Sequence, residues 1–262
     1  QTCVLAKELN VIGLINIQFA VQKGEIFIIE VNPRASRTIP FVSKSIGVPL
    51  AKIAARVMAG KTLKEIGFTQ EVEPKHISVK ESVFPFNKFT DVDVLLGPEM
   101  KSTGEVMGID KTFGRAFAKS QLATGIKLPK QGTTFISVKD SDKPKSVKIA
   151  QGLQKMGYQI VATKGTADYL KLNGVDAEVI KKVKDGSPHC VEAIESGRIN
   201  LVINTTFGEQ AIKDSFSLRR SSLNKNLPYC TTIAGASALL GGLKAIKQED
   251  LGITTIQEYN NL

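Results

Sequence analysis

The chain has 262 residues, 42% hydrophobic and 23% charged, a globular composition long enough for one to two domains. Its formal charge of +10 comes from scattered lysines, without tryptophan or aromatic–basic interleaving, which argues against nucleic acid and leaves solvated lysines or a small-anion pocket. No apolar run approaches the roughly 20 residues that span a bilayer, and no basic-then-apolar leader opens the chain, so a cytoplasmic protein without membrane contact is expected.

The chain does not start with Met, which suggests a fragment of a longer protein. Cys3, Cys190 and Cys230 are far apart and odd in number, which fits free thiols better than a disulfide framework or a zinc site. His189 and Cys190 are adjacent, so on a helix they diverge by about 100° and make a poor catalytic pair.

In chain order, the first pattern is a β-hairpin. Leu14 to Val21 and Ile26 to Val31 are strand-like and flank Gln22-Lys23-Gly24-Glu25, where Gly24 can supply a positive φ. Pro49 to Met58 reads as a helix with Leu50, Ile53, Ala54 and Val57 on one face, ending at Gly60. From Glu71 to Met107, Pro74, Pro85 and Pro98 interrupt short apolar segments, and irregular structure is expected. Gly125 to Gly132, with Pro129, is the best domain boundary and divides the chain into residues 1–126 and 127–262.

Beyond it strands and helices alternate. Thr133–Val138, Tyr158–Thr163, Ala177–Ile180 and Ile199–Asn204 are strand-like. Val147–Met156, Ala167–Leu172, Cys190–Ser196, Ala211–Leu223 and Ala234–Ile246 are helical. The expected fold class is α/β: an α+β segment, then a Rossmann-like parallel sheet covered on both faces, with ligands at the C-terminal strand ends.

Two places carry candidate chemistry. Glu30 and Asn32 project from one face of a strand, and a tight hairpin sets Gln18 opposite Glu30. One carboxylate and two amide oxygens make a hard-oxygen site for Mg²⁺ or Mn²⁺ with phosphate, and Arg34 and Arg37 follow to hold phosphate charge. The alternative is a solvated hairpin with a polar outer face. Against it, Ile26-Phe27-Ile28-Ile29 is apolar on both faces and reads as a strand buried on both sides, where a Glu and an Asn need partners.

In the second half, Thr163-Lys164-Gly165-Thr166 opens a helix after a strand, a natural anion site. Ser137, Lys143 and Lys182 lie on loops that a parallel sheet would gather at the same edge, and Asn204-Thr205-Thr206 adds polar groups there. The alternative is ordinary helix capping by Thr163 or Thr166.

The pattern Asn16-x-Gln18 … Glu30-x-Asn32-Pro33-Arg34, running into Ser36-Arg37-Thr38-Ile39-Pro40-Phe41-Val42-Ser43-Lys44, closely resembles the end of an ATP-grasp domain. It is most similar to the carbamate-phosphorylating half of the carbamoyl phosphate synthetase large-subunit family. The likeness continues through Ala51–Gly60, Ser82–Phe89 and Leu96–Gly108 and covers essentially the whole chain. The resemblance implies that Gln18, Glu30 and Asn32 bind the divalent cations on ATP and that Arg34 and Arg37 contact carbamate or its developing phosphate. It also implies a missing N-terminal part of the large subunit, a small glutaminase subunit as partner, and no carbamate phosphorylation by this chain alone.

Residues 127–262 resemble the methylglyoxal-synthase-like (MGS-like) regulatory domain of that family. The resemblance implies that Ser137, Lys143, Thr163, Thr166 and Lys182 hold the phosphate of UMP or IMP, with Asn204 and Thr206 near sugar and base. Glu81, Tyr229 and Thr231 match positions that bind ornithine, but Cys230 stands where an aspartate is usual, which puts ornithine control in doubt. Two other readings remain open: a free-standing nucleotide-binding module, or a methylglyoxal-synthase-type lyase, for which the Asn204–Gly208 strand end offers no carboxylate.

Overall fold

The computed structural model describes residues 1–84 and 104–261; the expected likenesses over Pro85–Phe89 and Leu96–Thr103 lie outside the described residues. The elements run α1 (Thr2–Glu8), β1 (Asn16–Gln22), β2 (Glu25–Asn32), α2 (Thr38–Ile46), α3 (Leu50–Met58), α4 (Leu63–Ile66), β3 (Ile77–Val83), β4 (Gly104–Asp110) and α5 (Phe113–Ala123). They continue with β5 (Thr133–Ser137), α6 (Lys143–Lys155), β6 (Gln159–Ala162), α7 (Lys164–Leu172), β7 (Glu178–Val179), α8 (Cys190–Glu195) and β8 (Leu201–Asn204). The last are α9 (Glu209–Asp214), α10 (Phe216–Asn224), β9 (Tyr229–Cys230), α11 (Ile233–Gln248) and α12 (Ile256–Asn260). They form two compact units: Gln1–His76 with the segment from Ile253, and Ile77–Gly252.

In the first unit β1 and β2 pair antiparallel about a two-residue turn. Lys23 and Gly24 both have positive φ, 51° and 86°, the backbone twist that matches a right-twisted hairpin. The ladder slips after Gln18, which pairs with Glu30, while Phe19 pairs with Ile28, so Ile29 is an extra residue bulged beside the polar end. The expectation that β2 is buried on both faces fails. Ile26, Phe27, Ile28 and Ile29 are 47–63% exposed, because neither face of this two-stranded ribbon is covered among the described residues.

The carboxyl end of α2 is held by α12 and its neighbourhood. Asn260 Nδ2 donates to the Lys44 carbonyl at 3.2 Å, His76 Nε2 bonds the Ser45 carbonyl at 2.8 Å, and the Tyr259 ring lies 5.5 Å from that of His76. Gly47, at φ 68°, ends the helix where only glycine fits easily: a Cβ there would stand 3.0 Å from the Asn260 side chain.

In the second unit, the stretch expected to be irregular contains a regular seven-residue antiparallel ladder, from Ile77 opposite Asp110 to Val83 opposite Gly104. Among the described residues, Pro74 precedes β3 and interrupts no ladder bond. Helix α5 lies across this hairpin. Gly108 permits it, since a Cβ there would overlap the Ala116 carbonyl oxygen and the Ser120 amide. The other side of α5 packs on α11, where Phe117 and Ala118 meet Gly242. This packing gathers residues 77–126 with 127–252, so compactness divides the chain near residue 76 and the Gly- and Pro-rich loop of residues 124–132 is an internal connection.

The five-stranded sheet is parallel throughout, in the order β7-β6-β5-β8-β9. One face buries Ile136, Ala162, Leu201 and Ile203 under α6, α7 and α11, and the other buries Phe135, Val161 and Val202 under α8 and α10. Strand order reverses direction between β5 and β8, the switch point where such sheets open a crevice. The helix expected over Ala211–Leu223 is two helices broken at Ser215.

Candidate functional site

The hairpin of the first unit presents a polar patch at its open end. Gln18 and Glu30 are directly paired across the strands, Asn16 and Asn32 form the next same-face pair, and Asn32 Nδ2 donates to Glu30 Oε1 at 2.9 Å. Gln18, Glu30 and Asn32 therefore do converge on one face. In this arrangement Asn32 meets the carboxylate through its nitrogen, so metal ligation by its oxygen requires the amide to turn. The donor set of one carboxylate and side-chain amides suits a hard divalent cation. Arg34 and Arg37 leave the end of β2 exposed, with Arg34 donating to the Ala35 carbonyl at 3.0 Å and Arg37 standing just before α2.

The second unit holds a cavity of about 1090 Å³ over the C-terminal edge of the sheet. The strand order explains its contents: β5, β6 and β8 end side by side and deliver Ser137, Thr163 and Asn204 to one rim. Ser137 Oγ and Thr163 Oγ1 lie 3.1 Å apart at the first turn of α7, and Lys182 and Thr206 also line the space. Five of the seven residues expected at an anion site are thus gathered.

The other two do not line it. Thr166 is buried, and its Oγ1 accepts from the Val138 amide at 3.3 Å, so it braces β5 and α7. Lys143 pairs with Asp140 at 2.8 Å, and its Nζ would lie 3.5 Å from a Cβ on Gly165, which places it beside the amino end of α7. That pairing holds the Asp140 carboxyl below its ordinary range.

The far wall was not legible in the sequence. Phe207 stands there, helices α9 and α10 supply Gln210, Lys213, Asp214 and Leu218, Lys139, Val183 and Lys184 come from other connections, and Cys190 from the start of α8. Reading 211–223 as one long helix hid the break that folds α9 over the cavity, although Gly208, at φ 86°, marked a sharp turn before it. Two carboxylates, Asp140 and Asp214, do border the space, neither of them from the end of β8. Burial pushes the Cys190 thiol up, which makes it a poor nucleophile.

The residues matched to an ornithine site do not gather on one face. Tyr229 packs on the Phe135 side of the sheet, and its hydroxyl accepts from Asn204 Nδ2 at 3.0 Å. Cys230 faces the other side, where burial and then the Glu81 charge push its thiol up to about 12. Glu81 accepts from Gln121 Nε2 at 3.0 Å, and burial raises its carboxyl. Thr231 follows β9 as an exposed residue.

Comparisons with known proteins agree with this division. Residues 145–231 match the model of the MGS-like domain, and residues 1–66 match that of the carbamoyl-phosphate synthase L chain, ATP binding domain. A carbamoyl phosphate synthase large chain from Myxococcus xanthus is 58% identical over 99% of this chain. Those of a Nostoc species and Archaeoglobus fulgidus are 51% and 48% identical, each over 98% of it. The chain spans about a quarter of the length of these relatives, 24% in each case. With an ATP-binding segment at one end, an MGS-like sheet after it and this likeness running between them, the chain is similar over nearly its whole length to one part of the carbamoyl phosphate synthase large chain.

Proposed function

We propose that this chain is the part of a carbamoyl phosphate synthase large chain that joins the end of the carbamate-phosphorylating site to a nucleotide-sensing domain, with the functional division at residues 126 and 127. In this reading Glu30 and Gln18, with Asn32 once its amide turns, hold the Mg²⁺ or Mn²⁺ that accompanies ATP. The cation would supply charge neutralisation at the phosphates. Arg34 and Arg37 bind and orient carbamate and its phosphoryl group by charge-assisted hydrogen bonds. The remaining ATP-binding machinery, and a small glutaminase subunit that delivers ammonia, belong to the complete cytoplasmic enzyme.

The second unit binds UMP or IMP. The phosphate lies against Ser137, Thr163 and the first turn of α7, with Lys143 and Lys182 supplying positive charge, Thr166 bracing the wall, and Asn204 and Thr206 reaching the sugar and base. The observation that carries this half is the cavity at the switch point, where Ser137, Thr163, Lys182, Asn204 and Thr206 share a rim. Effector control then means that nucleotide binds two states of the whole enzyme with different affinity.

Calorimetric titration of the whole 262-residue chain with UMP and with IMP tests the reading. Binding is expected, with no turnover of dihydroxyacetone phosphate and no carbamoyl phosphate made from ATP and carbamate. Thr163→Ala or Lys182→Ala should weaken UMP by roughly 1–3 kcal/mol. Wild-type affinity in both variants would show the site to be elsewhere. Turnover of the triose phosphate would favour a lyase, and carbamoyl phosphate formation would show that the missing parts are dispensable.

A further inference from the structure

Within the first unit, the seat of helix α12 on α2 holds three polar atoms that the surrounding fold does not pair. Helix α12 is short but capped from within: Thr255 Oγ1 accepts from the Glu258 amide at 3.2 Å, and Glu258 Oε2 accepts from the Thr255 amide at 2.7 Å. Its docking buries Tyr259 beside the ring of His76. Ser45 and His76 are only 7% and 6% exposed. Ser45 Oγ, His76 Nδ1 and Asn260 Oδ1 are all buried without a hydrogen-bond partner among the described residues. The three side chains share one junction, because His76 Nε2 bonds the Ser45 carbonyl and Asn260 Nδ2 donates to the adjacent Lys44 carbonyl.

Donors and acceptors at this junction do not balance. A carbonyl only accepts, so Nε2 of the neutral His76 ring carries the proton and Nδ1 is a bare acceptor. Asn260 turns its amide nitrogen to a carbonyl in the same way, which leaves Oδ1 as an acceptor too. Against these two acceptors stands one hydroxyl proton, that of Ser45, so no rearrangement of the three groups satisfies both. Buried polar atoms left in that condition cost free energy. A neutral molecule with two donors and an acceptor completes the set. Water gives one proton each to Nδ1 and Oδ1 and accepts the Ser45 hydroxyl, and three bonds are the usual number for a buried water. We propose that this junction is a site for one ordered water, which latches the C-terminal helix onto α2. Helix α2 starts directly after Arg37, so the latch secures, from its far end, the helix that follows the arginine pair.

The test uses the whole chain. Nuclear magnetic resonance with isotope-labelled histidine should find the His76 proton on Nε2. A high-resolution crystal structure should show one water bonded to Ser45, His76 and Asn260. Hydrogen exchange then reads the latch itself. Ser45→Ala and His76→Gln should each speed amide exchange in α12 by about two- to tenfold, the weight of one net hydrogen bond. Combined, they should speed it by less than the product of the two, because both act on the same water. Thr255→Ala, which loosens α12 through its own cap, should multiply with either. A His76 proton on Nδ1, a crystal structure with no water joining the three groups, or independent effects of Ser45→Ala and His76→Gln overturns the proposal. So does a His76 signal that responds to ammonium ion at constant ionic strength, since a cation would then occupy the site. Should the His76 variant fail to fold, the wild-type tautomer and crystal structure still decide.

Discussion

The three cysteines show how residue-level chemistry depends on placement. Cys3 is exposed, Cys190 is buried on the cavity wall, and Cys230 is half-buried with its thiol pushed up to about 12 by burial and by Glu81. Because the thiolate is the reacting form, at pH 8 only about one Cys230 in ten thousand is reactive at any instant. An aromatic disulfide reagent at pH 8 should therefore label one thiol rapidly in the folded chain and all three in urea. Rapid labelling of Cys230 in the folded protein, read by mass spectrometry, would contradict its placement. The sequence already indicated free thiols, but it gave no sign that Cys230 feels the Glu81 charge, because the two lie on strands some 150 positions apart along the chain.

At the scale of elements, α5 is fixed by what is absent from Gly108. A Cβ there would overlap backbone atoms of α5 at Ala116 and Ser120, which have no rotamer to escape through. Gly108→Ala should lower the stability of the second unit by about 3 kcal/mol, the upper part of the range for overpacking, with loss of protection in α5. A urea midpoint equal to wild type would show that α5 can shift freely. The hairpin is the converse case. Its turn at Lys23-Gly24 and the pairing of Gln18 with Glu30 follow from local pattern, whereas the exposure of Ile26 to Ile29 does not. An apolar run fixes the tendency to be covered, and only the surrounding structure determines what covers it.

At the scale of the second unit, one buried carboxylate ties separate elements together. Asp110, at the end of β4, accepts from Lys119 at 2.8 Å, from the Lys111 amide at 2.7 Å and from Arg115 at 3.1 Å, and Arg115 continues to Glu249 at the end of α11. Burial alone would raise the Asp110 carboxyl, but Lys119, the Lys111 amide and Arg115 outweigh it and hold it below the ordinary 3.8. Its folded value is the depressed one, so its contribution to stability is fully present above 3.8 and is lost as pH falls through the lower folded value. Urea denaturation at pH 6 and pH 3 should show wild type losing more stability than Asp110→Asn, and equal losses would rule out this staple. At pH 6, Asp110→Ala should cost about 3 kcal/mol, because it strands two partly buried cations.

The amino-acid sequence by itself determined the alternation of strands and helices after residue 132, the hairpin turn, the face shared by Gln18, Glu30 and Asn32, and the likeness to part of the carbamoyl phosphate synthase large chain. These are readable because each rests on a short repeat, a turn residue or an unbroken run of matching residues. Only the tertiary structure decided that β3 and β4 pair, that α5 joins residues 77–126 to the sheet, and that the helix after Gly208 breaks at Ser215 to bring Asp214 to the cavity. Those outcomes depend on which distant surfaces fit one another, and local periodicity carries no record of that choice.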